Sequence, residues 1–425
     1  MPVQMPGSKR HFTSVHTDSR EVKPGGLFFA LRGAAMDGHR FVEDAVGRGA
    51  AGVVVERPVE AGEAEVITVP DTWHALYDLA AERLRQAAPL VVAVTGSNGK
   101  TSTKEMIAAV LAVKHKVIKT EGNLNTETGV PLTILRLEPG VHDALVLELG
   151  LQGPGEIAPL ADLARPRVGV VTNIGTVHME FFQSQEQLAR AKGELVERLP
   201  PDGLAILNAD DPLTPLLEGL ATAPVVTFGL DGGDYQGTGY QAGAFNVRDV
   251  PVRLRLPGRH QARNALAALA AGEFAGVPLA EGAKALEDVH VDRRLEARAA
   301  PAGFAVLDDA YNASPESMQA AFEAVADQAA HRRYAVLGEM RELGRLADAA
   351  HEEVGRRARE VFDAVCVVDV GRGRLLAEAA GADLVPDKPA AVKWVKAHAG
   401  EGDLVLVKGS HGVALEEVVE QLLRR

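Results

Sequence analysis

Short apolar runs alternate with helical patterns along most of the chain. In the first part, runs at 53–55 and 66–69 predict strands, and leucines at helical spacing predict a helix over 72–86. The sequence Ala87-Ala88-Pro89 follows directly. Because such a proline-containing segment interrupts regular structure, we predict a domain boundary there.

The middle of the chain repeats this alternation with more apolar strands. The predicted strands are 90–94, 144–147, 168–171 and 204–207, and the predicted helices are 101–111, 186–199 and 260–275. Continuous apolar strands separated by helices are typical of a parallel sheet that is covered on both faces. The glycine-rich, alternating stretch 231–256 predicts a small antiparallel addition.

A second alternating series begins near Phe304. Its predicted strands are 304–307, 334–337, 364–368 and 404–407, with helices between them. This pattern predicts a separate, Rossmann-like doubly wound domain. The predicted fold class is therefore α/β with three domains, at 1–87, 88–296 and 297–425, and a length of 425 residues allows this number.

Bulk composition narrows the function classes. The net charge of −13 argues against a nucleic-acid scaffold, because phosphate backbones attract basic surfaces. The single cysteine, Cys366, excludes an intrachain disulfide, and its apolar neighbours predict a buried thiol. The N-terminus has no apolar signal segment, and no apolar run reaches the about 18 residues of a membrane span. We therefore expect a cytoplasmic protein with no nucleic-acid partner and no membrane span.

The most informative stretch is Thr95-Gly96-Ser97-Asn98-Gly99-Lys100-Thr101, which joins a predicted buried strand to a predicted helix. Backbone N–H groups in such a turn bind phosphate oxygens, and the helix N-terminus adds favourable partial charge. Lys100 is expected to reach the β- and γ-phosphates, and the Thr101 hydroxyl to bind Mg²⁺. We therefore predict a phosphate-binding loop (P-loop) in the central parallel sheet.

This loop departs from the common Walker pattern, since Val94 stands at the position of the first glycine. An ordinary strand–turn–helix corner is the alternative interpretation. The Asn-Lys-x-Asp motif expected of a GTPase is absent, because no asparagine in the chain precedes a lysine. ATP is therefore favoured over GTP.

Further motifs resemble those of the Mur ligases and their folylpolyglutamate synthetase relatives, in the family's order. Besides the phosphate loop, they are Glu148-Leu149-Gly150, Asn173 to His178, Ala191-Lys192-Gly193-Glu194, Leu207 to Asp211, Pro257 to His260, Asn264 to Ala268, and Asp308 to Pro315. The likeness covers essentially the whole chain. It implies an ATP-dependent amide ligase with a UDP-binding N-terminal domain, a central ATPase domain and a C-terminal domain for the amine substrate.

Two features indicate the kind of Mur ligase. Thr17 to Arg20, Gly26 to Leu31 and Asp37-Gly38-His39 resemble the UDP-binding domain of ligases that add a diamino acid or D-alanyl-D-alanine. The Asp-Asn-Pro-Arg signature usual in the diamino-acid enzymes is absent, whereas Gly338 to Gly344 and Val407 to Ser410 resemble the D-alanyl-D-alanine-adding enzyme. The resemblance implies addition of this dipeptide to UDP-N-acetylmuramoyl-tripeptide, through an acyl phosphate, in peptidoglycan precursor synthesis. A diamino-acid-adding or folylpolyglutamate-synthetase-like ligase, and a regulatory protein that kept the fold, are the alternatives.

The resemblance also implies the nucleotide and metal residues. Thr101 and Glu148 would hold one Mg²⁺, and His178 with a carbamylated Lys192 would hold a second. For Lys192 the alternatives are an exposed lysine paired with a helix glutamate, or an unmodified lysine that contacts phosphate. Arg294 is preferred to Arg293 as the catalytic arginine beside Lys100. The implied nucleotide contacts are Gly96, Ser97, Asn98, Gly99, Lys100, Thr101, Ser102, Asn264, Arg294, Asp309 and Tyr311.

The implied substrate contacts lie in all three predicted domains. They are Ser19, Arg20, Asp37, Gly38 and His39 for the uridine end, Asn123, Asn125 and Thr126 for the sugar and diphosphate, Asn312 beside the nucleotide, Glu339 and Glu342 for the amine, and Lys408 and Ser410 for the dipeptide carboxylate. An ion pair of Lys408 with Glu401 or Asp403 is the alternative. His411 stands where related enzymes often have arginine, which leaves its contact open. We expect a monomer whose partners are these small molecules.

Overall fold

The computed structural model describes residues 3–33, 36–291 and 293–424, so the ends of the outer predicted domains, at 1–2 and 425, lie outside the described residues. The N-terminal part forms a parallel four-stranded sheet in the order β1-β2-β3-β4. Its elements are β1 Val15–His16, β2 Leu27–Phe29, α1 Val42–Gly47, β3 Gly52–Val55, β4 Glu65–Thr68 and α2 Thr72–Ala87. The two predicted strands and the predicted helix are confirmed within about one residue at each end.

The central part is a nine-stranded sheet in the order β13-β12-β11-β10-β9-β8-β5-β7-β6. Its strands are β5 Leu90–Thr95, β6 Val117–Lys119, β7 Ala144–Glu148, β8 Val168–Val171, β9 Leu204–Asn208, β10 Val225–Gly229, β11 Tyr235–Gln241, β12 Ala244–Val247 and β13 Val250–Arg253. The helices are α3 Lys100–Leu111, α4 Gly129–Ile134, α5 Ile157–Ala164, α6 Gln185–Glu197, α7 Thr214–Glu218, α8 Arg259–Phe274 and α9 Leu279–Leu286. Only the β11–β12 and β12–β13 pairs are antiparallel, which confirms the predicted antiparallel addition.

The C-terminal part is a six-stranded sheet in the order β14-β15-β19-β16-β17-β18. Its strands are β14 Glu296–Ala299, β15 Ala305–Asp309, β16 Arg333–Leu337, β17 Ala364–Val368, β18 Asp383–Val385 and β19 Leu404–Lys408. The helices are α10 Pro315–Ala326, α11 Ala347–Val361, α12 Gly373–Ala380, α13 Lys388–His398 and α14 Glu416–Leu423. The β14–β15 pair is antiparallel and the other pairs are parallel, so a doubly wound sheet carries one antiparallel edge.

Burial follows the predicted apolar pattern. Strands β5 and β7 lie inside the central sheet, and their side chains are almost completely buried, as expected when helices cover both faces. The Cys366 thiol is buried in β17, and burial raises its pKa to about 12, as expected for an inert core thiol. Within the described residues, none of the helices combines the length and apolar character needed to cross a membrane.

The topology determines where a ligand can bind. Strand β5 continues through α3 to β6, on the β7 side of the sheet, whereas its neighbour β8 continues through α6 to β9 on the opposite side, so the connections that follow β5 and β8 run in opposite directions. In such open sheets the crevice beyond the carboxyl ends of the strands, at this switch point, is the usual ligand site. The phosphate loop and Glu148 both lie at this edge of the sheet.

Candidate active site

The predicted phosphate loop lies between the end of β5 and the start of α3. Its backbone requires glycine at two positions, because φ is 146° at Gly96 and 81° at Gly99. A Cβ at Gly96 would lie 1.8 Å from Thr172 Oγ1, and a Cβ at Gly99 would lie 2.7 Å from Asn264 Oδ1. Gly99 gives α3 no side-chain cap. The first-turn N–H groups are therefore available to an anion such as phosphate.

The loop is held in shape by the segment that follows β8. The Asn98 N–H donates to Asn173 Oδ1 at 2.9 Å, and Thr172 Oγ1 donates to the Asn98 carbonyl at 2.6 Å. From the last domain, Ser314 Oγ donates to Asn98 Oδ1 at 3.0 Å. Asn98 Nδ2 is buried and has no partner among the described residues. It is therefore a free donor at the edge of the cavities described below.

Lys100, Thr101 and Glu148 come together as predicted. Thr101 Oγ1 donates to Glu148 Oε2 at 3.0 Å, and Asn125 Nδ2 donates to Glu148 Oε1 at 2.8 Å. Lys100 Nζ donates back to the Gly96 and Ser97 carbonyls at 2.8 and 3.2 Å. Burial lowers the pKa of Lys100, and the Glu148 carboxylate opposes this shift. An ammonium and a buried carboxylate thus face the same small space.

The sequence reasoning missed one residue of this group, Lys104. Its ammonium is buried in α3, donates to the Thr120 carbonyl at 2.7 Å and lies 4.0 Å from Glu148 Oε2. The Thr120 hydroxyl in turn accepts from the Glu148 N–H at 3.0 Å. Lys104 therefore supports the position and charge of Glu148. Its place one helical turn beyond Lys100 was the only signal in the sequence.

His178 lies in the loop after β8 with φ at 68°. Its Nδ1 is 2.9 Å from Glu342 Oε2 of the last domain, although the N–H direction is not aligned with that oxygen. The contact with His178 is the main cause that lowers the pKa of Glu342. Sequence reasoning had associated Glu342 with the amine substrate and had not linked it to His178. The two residues are 164 positions apart, and only the tertiary structure brings them together.

Lys192 is almost completely buried in α6, with 1% of its surface exposed. Burial lowers its pKa well below the ordinary value, and the nearby Lys100 ammonium lowers it further. No carboxylate of the described residues forms an ion pair with it. The alternative of an exposed lysine paired with Glu194 or Glu197 is wrong, because Glu194 instead accepts from backbone N–H groups of Gly155 and Ala158.

A cavity of about 390 Å³ lies between the central and last domains. Asn264, Arg294, Asp309 and Lys408 line it, together with Asn98 and Gly99 of the phosphate loop. Lys408 Nζ donates to Asp309 Oδ2 at 2.5 Å. Burial raises the pKa of Asp309 and lowers that of Lys408, whereas their mutual contact acts in the opposite direction on each. The volume and polar lining suit a nucleoside.

A smaller cavity of about 170 Å³ adjoins the phosphate loop. It is lined by Ser97, Asn98, Gly99, Lys100, Thr101, Asn125, Glu148, Arg294, Tyr311, Asn312, Ala313 and Ser317. The Arg294 guanidinium lies 4.3 Å from the centre of the Tyr311 ring, a cation–π contact. Arg293 instead lies 3.3 Å from Glu416. Of the two arginines, Arg294 is the one beside the phosphate loop.

A third cavity, of about 570 Å³, opens on the other side of Lys100. Tyr77 of the first domain lines it together with Asn125, Thr126, Gln152 and His178. Asn123 is exposed in the same loop. This cavity lies between the first and central domains, and Lys100 of the phosphate loop lines one side of it. It is therefore a candidate site for the substrate that meets the nucleotide.

The residues predicted for the uridine end form a separate group in the first domain. Asp37 Oδ1 lies 2.7 Å from His39 Nδ1, and Asp37 Oδ2 accepts from Arg57 at 2.8 Å. The backbone hydrogen bond from His39 is the main cause that lowers the pKa of Asp37. Ser19 is buried, whereas the Arg20 side chain is 81% exposed and pairs with Asp18. A Cβ at Gly38 would lie 2.6 Å from the Leu31 carbonyl oxygen, so glycine is required there.

Two of the residues predicted for the dipeptide, Glu339 and Ser410, contact Arg341. The Arg341 Nε donates to Glu339 Oε1 at 2.6 Å, and its backbone N–H donates to Ser410 Oγ at 2.9 Å. Lys408 belongs to the nucleotide cavity, where it contacts Asp309 and the Asn312 carbonyl. Ser410 Oγ donates to the Ala313 carbonyl at 3.5 Å, next to the Asn312 carbonyl that accepts from Lys408, so Lys408 and Ser410 stay close together. The alternative pairing of Lys408 with Glu401 or Asp403 is wrong, because its ion pair is with Asp309. His411 instead lies with its ring centre 5.9 Å from that of Tyr311.

Comparison with known proteins gives matches along almost the whole chain. Three family models match: "Mur ligase family, catalytic domain" at 11–84, "Mur ligase middle domain" at 94–272 and "Mur ligase, glutamate ligase domain" at 293–411. The UDP-N-acetylmuramoyl-tripeptide--D-alanyl-D-alanine ligase of Bacillus subtilis is 38% identical over 429 residues, which cover 96% of this chain and 93% of that protein.

Solved structures agree with these matches. A crystal structure of MurF from Acinetobacter baumannii is similar, with a TM-score of 0.90 and 31% identity over 98% of this chain and 95% of that one. A MurF ligase from Thermotoga maritima, solved in complex with ADP, has a TM-score of 0.85 and 32% identity, and 96% of each chain is covered. The similarity therefore extends to the arrangement of all three sheets.

Proposed function

The chain belongs to the Mur ligase family, and from that premise we propose that it joins D-alanyl-D-alanine to UDP-N-acetylmuramoyl-tripeptide at the expense of ATP. The relatives that share more than a third of its sequence over almost its full length carry this activity in their names. One structural observation supports it most. Lys100 stands between two adjoining cavities at the junction of the domains: the Thr101–Glu148 pair and Arg294 line one, and His178 lines the other.

This arrangement suits formation of an acyl phosphate. The tripeptide carboxylate would attack the γ-phosphorus of ATP, and ADP would leave. The amine of D-alanyl-D-alanine would then attack the acyl carbon, inorganic phosphate would leave, and the amine would lose a proton. Both steps bring anionic groups together, so cations and N–H donors at the site lower the barrier. The loop amides, Lys100 and Arg294 are the donors we propose for this purpose.

Magnesium is part of the proposal, and the oxygen ligands fit it. Mg²⁺ prefers few carboxylates together with phosphates and waters, and the Glu148 and Thr101 oxygens lie 3.0 Å apart beside the loop. The described residues contain no group of three or more His, Cys, Asp or Glu side chains that could hold a metal by themselves. Phosphate oxygens and waters would complete the coordination. When bound, Mg²⁺ would neutralise charge on the phosphates. His178 and a carbamate on Lys192 would hold a second ion.

Burial of Lys192 supports its carbamylation. A lysine reacts with CO₂ through its neutral amine, and the lowered pKa of Lys192 favours that form. The product is an anion, so it would relieve the repulsion between the two neighbouring ammonium groups of Lys192 and Lys100. An unmodified lysine in contact with phosphate is the alternative, and the two species have opposite charges.

The proposal extends to the other substrates and to the state of the enzyme. Ser19, Arg20 and the Asp37–His39 group would bind the uridine end, with Asn123, Asn125 and Thr126 on the sugar and diphosphate. Asn264, Asp309 and Tyr311 would hold the nucleoside of ATP. Glu339, Lys408 and Ser410 would receive the dipeptide. We further propose a monomer that works in the cytoplasm, where ATP and UDP-linked precursors are available.

Acceptor-dependent phosphate release tests the proposed function. Purified enzyme is given ATP, Mg²⁺ and UDP-N-acetylmuramoyl-tripeptide, with D-alanyl-D-alanine, single amino acids or no acceptor. We expect rapid phosphate release only with D-alanyl-D-alanine. For the alternatives, the same assay uses the UDP-linked dipeptide with a diamino acid, and a folate with glutamate. Release only in one of those mixtures would contradict the proposal and identify the other ligase.

A further inference from the structure

The contact between His178 and Glu342 has no role in the reaction as described above. His178 belongs to the central domain and follows β8, whereas Glu342 belongs to the last domain and follows β16. His178 Nδ1 and Glu342 Oε2 are 2.9 Å apart, within the distance of a hydrogen bond, and Nδ1 is buried with no other partner among the described residues. The His178 side chain is 16% exposed and that of Glu342 is 42% exposed. The carboxylate therefore reaches across the domain junction to one face of the site.

The backbone around Glu342 is built to reach this position. Glu342 itself has φ at 64°, and Gly344 has φ at 52°. A Cβ at Gly344 would lie 2.9 Å from Glu180 Cα, so the two segments pack closely. Arg345 also donates to the Gln183 carbonyl at 2.8 Å. The 338–345 segment thus docks on the segment that carries His178, and the glutamate is its only acid in contact with that imidazole within the described residues.

From this geometry we infer that Glu342 is a positioning residue that fixes the orientation and tautomer of His178. A neutral imidazole carries its proton on one nitrogen only, and the hydrogen bond made by that nitrogen determines which one. With Nδ1–H directed at Glu342, Nε2 keeps its lone pair and faces away from the carboxylate. A metal-binding histidine commonly donates its second nitrogen to a carboxylate in this way.

The inference rests on the proposed function, because the orientation of His178 matters only if this histidine binds a metal ion beside the phosphates of ATP. It adds a condition to that function. Since the carboxylate comes from the last domain, His178 is oriented for its ligand only when that domain is docked. Closure of the domains would then complete the metal site as well as exclude water from the acyl phosphate.

The test measures the tautomer directly in the full-length protein without ligands. Protein labelled with ¹⁵N in histidine is examined by NMR at about pH 8, above the ordinary histidine pKa. His178→Gln identifies the signals of His178 among the 13 histidines. We expect the Nδ1–H tautomer in the wild type and loss of its predominance in Glu342→Ala. Glu342→Gln keeps an acceptor oxygen and should restore the tautomer.

Activity is measured on the same variants. Glu342→Ala is expected to lower kcat by about 10- to 100-fold, the usual effect of removing such a partner. Glu342→Gln should recover most of that loss. Glu352→Ala removes an exposed glutamate of the same domain whose described ion pair is with Arg356, and it serves as the control, with the tautomer unchanged. An Nδ1–H signal that persists in Glu342→Ala would overturn the inference, and so would a Glu342→Gln variant as inactive as Glu342→Ala. The tautomer result does not depend on which acceptor the enzyme uses, so failure of the inference can be distinguished from failure of the proposed function.

Discussion

Lys100→Met is expected to lower kcat/KM for ATP by about 10³-fold, the upper part of the range seen when a preorganised donor to a developing anion is removed. Methionine keeps much of the length and apolar character of the lysine stem but loses the charge. The fold should survive, because among the described residues the Lys100 ammonium donates only to the Gly96 and Ser97 carbonyls of its own loop. Steady-state phosphate release at varied ATP concentration measures the effect.

The control for this variant is Lys114→Met. Lys114 follows the same helix, and within the described part of the chain its ammonium donates only to the Gly276 carbonyl. Its kcat/KM for ATP should match that of the wild type. Thermal unfolding without ATP should give similar midpoints for the wild type and Lys100→Met. If Lys100→Met retains activity within about tenfold of the wild type, equivalent to about 1.4 kcal/mol, Lys100 does not bind the transferring phosphate.

Lys192→Ala is expected to lose activity by a comparable factor, at least about 10²-fold, and to regain part of it in high concentrations of formate or acetate. The removed side chain leaves a buried space beside Lys100, where a small carboxylate can supply the missing anion. Rescue follows from the charge: a carbamate is negative, whereas an unmodified lysine is positive. Phosphate release at increasing carboxylate concentration measures it.

Two controls make this result specific. Lys100→Met must not be rescued by the same carboxylates, since its missing group is a cation. Wild-type enzyme supplied with ¹³C-labelled bicarbonate should show a carbamate carbon by NMR that is absent in Lys192→Ala. Full activity of Lys192→Ala would contradict the role of this residue, and inactivity without rescue would favour the unmodified lysine.

The parts of the fold that the sequence predicted well are those with a local cause. Strand β5 and helix α3 were predicted within about one residue, because a continuous apolar run, two glycines and Lys100 follow each other directly. The short strands β6, β14 and β18 were missed. Each has only three or four residues, too few to show a periodic pattern, and its conformation is set by hydrogen bonds to a neighbouring strand. The domain limits at 87/88 and 296/297 stay predictions, although β14 begins at Glu296, on the central side of the second limit.

The candidate site shows the same division. The family resemblance implies that Thr101 and Glu148 share one Mg²⁺, and the structure places their oxygens 3.0 Å apart. The partners of Lys408 and His178 could not be predicted from spacing. Asp309 lies on a different strand from Lys408, and Glu342 lies in a different domain from His178. A buried charge is costly without a partner, so such pairs depend on which residues the tertiary structure brings together. The family resemblance identifies the site residues, but their hydrogen-bond and ion-pair partners are seen only in the tertiary structure.

The path of oxygen in the reaction tests the central claim most directly. UDP-N-acetylmuramoyl-tripeptide labelled with ¹⁸O in its terminal carboxylate is incubated with enzyme, ATP, Mg²⁺ and D-alanyl-D-alanine, and the released phosphate is analysed by mass spectrometry. Attack of the carboxylate on the γ-phosphate predicts one labelled oxygen in each phosphate released with product. Phosphate that carries no label while the amide product forms would contradict an acyl phosphate, and with it the account of this site.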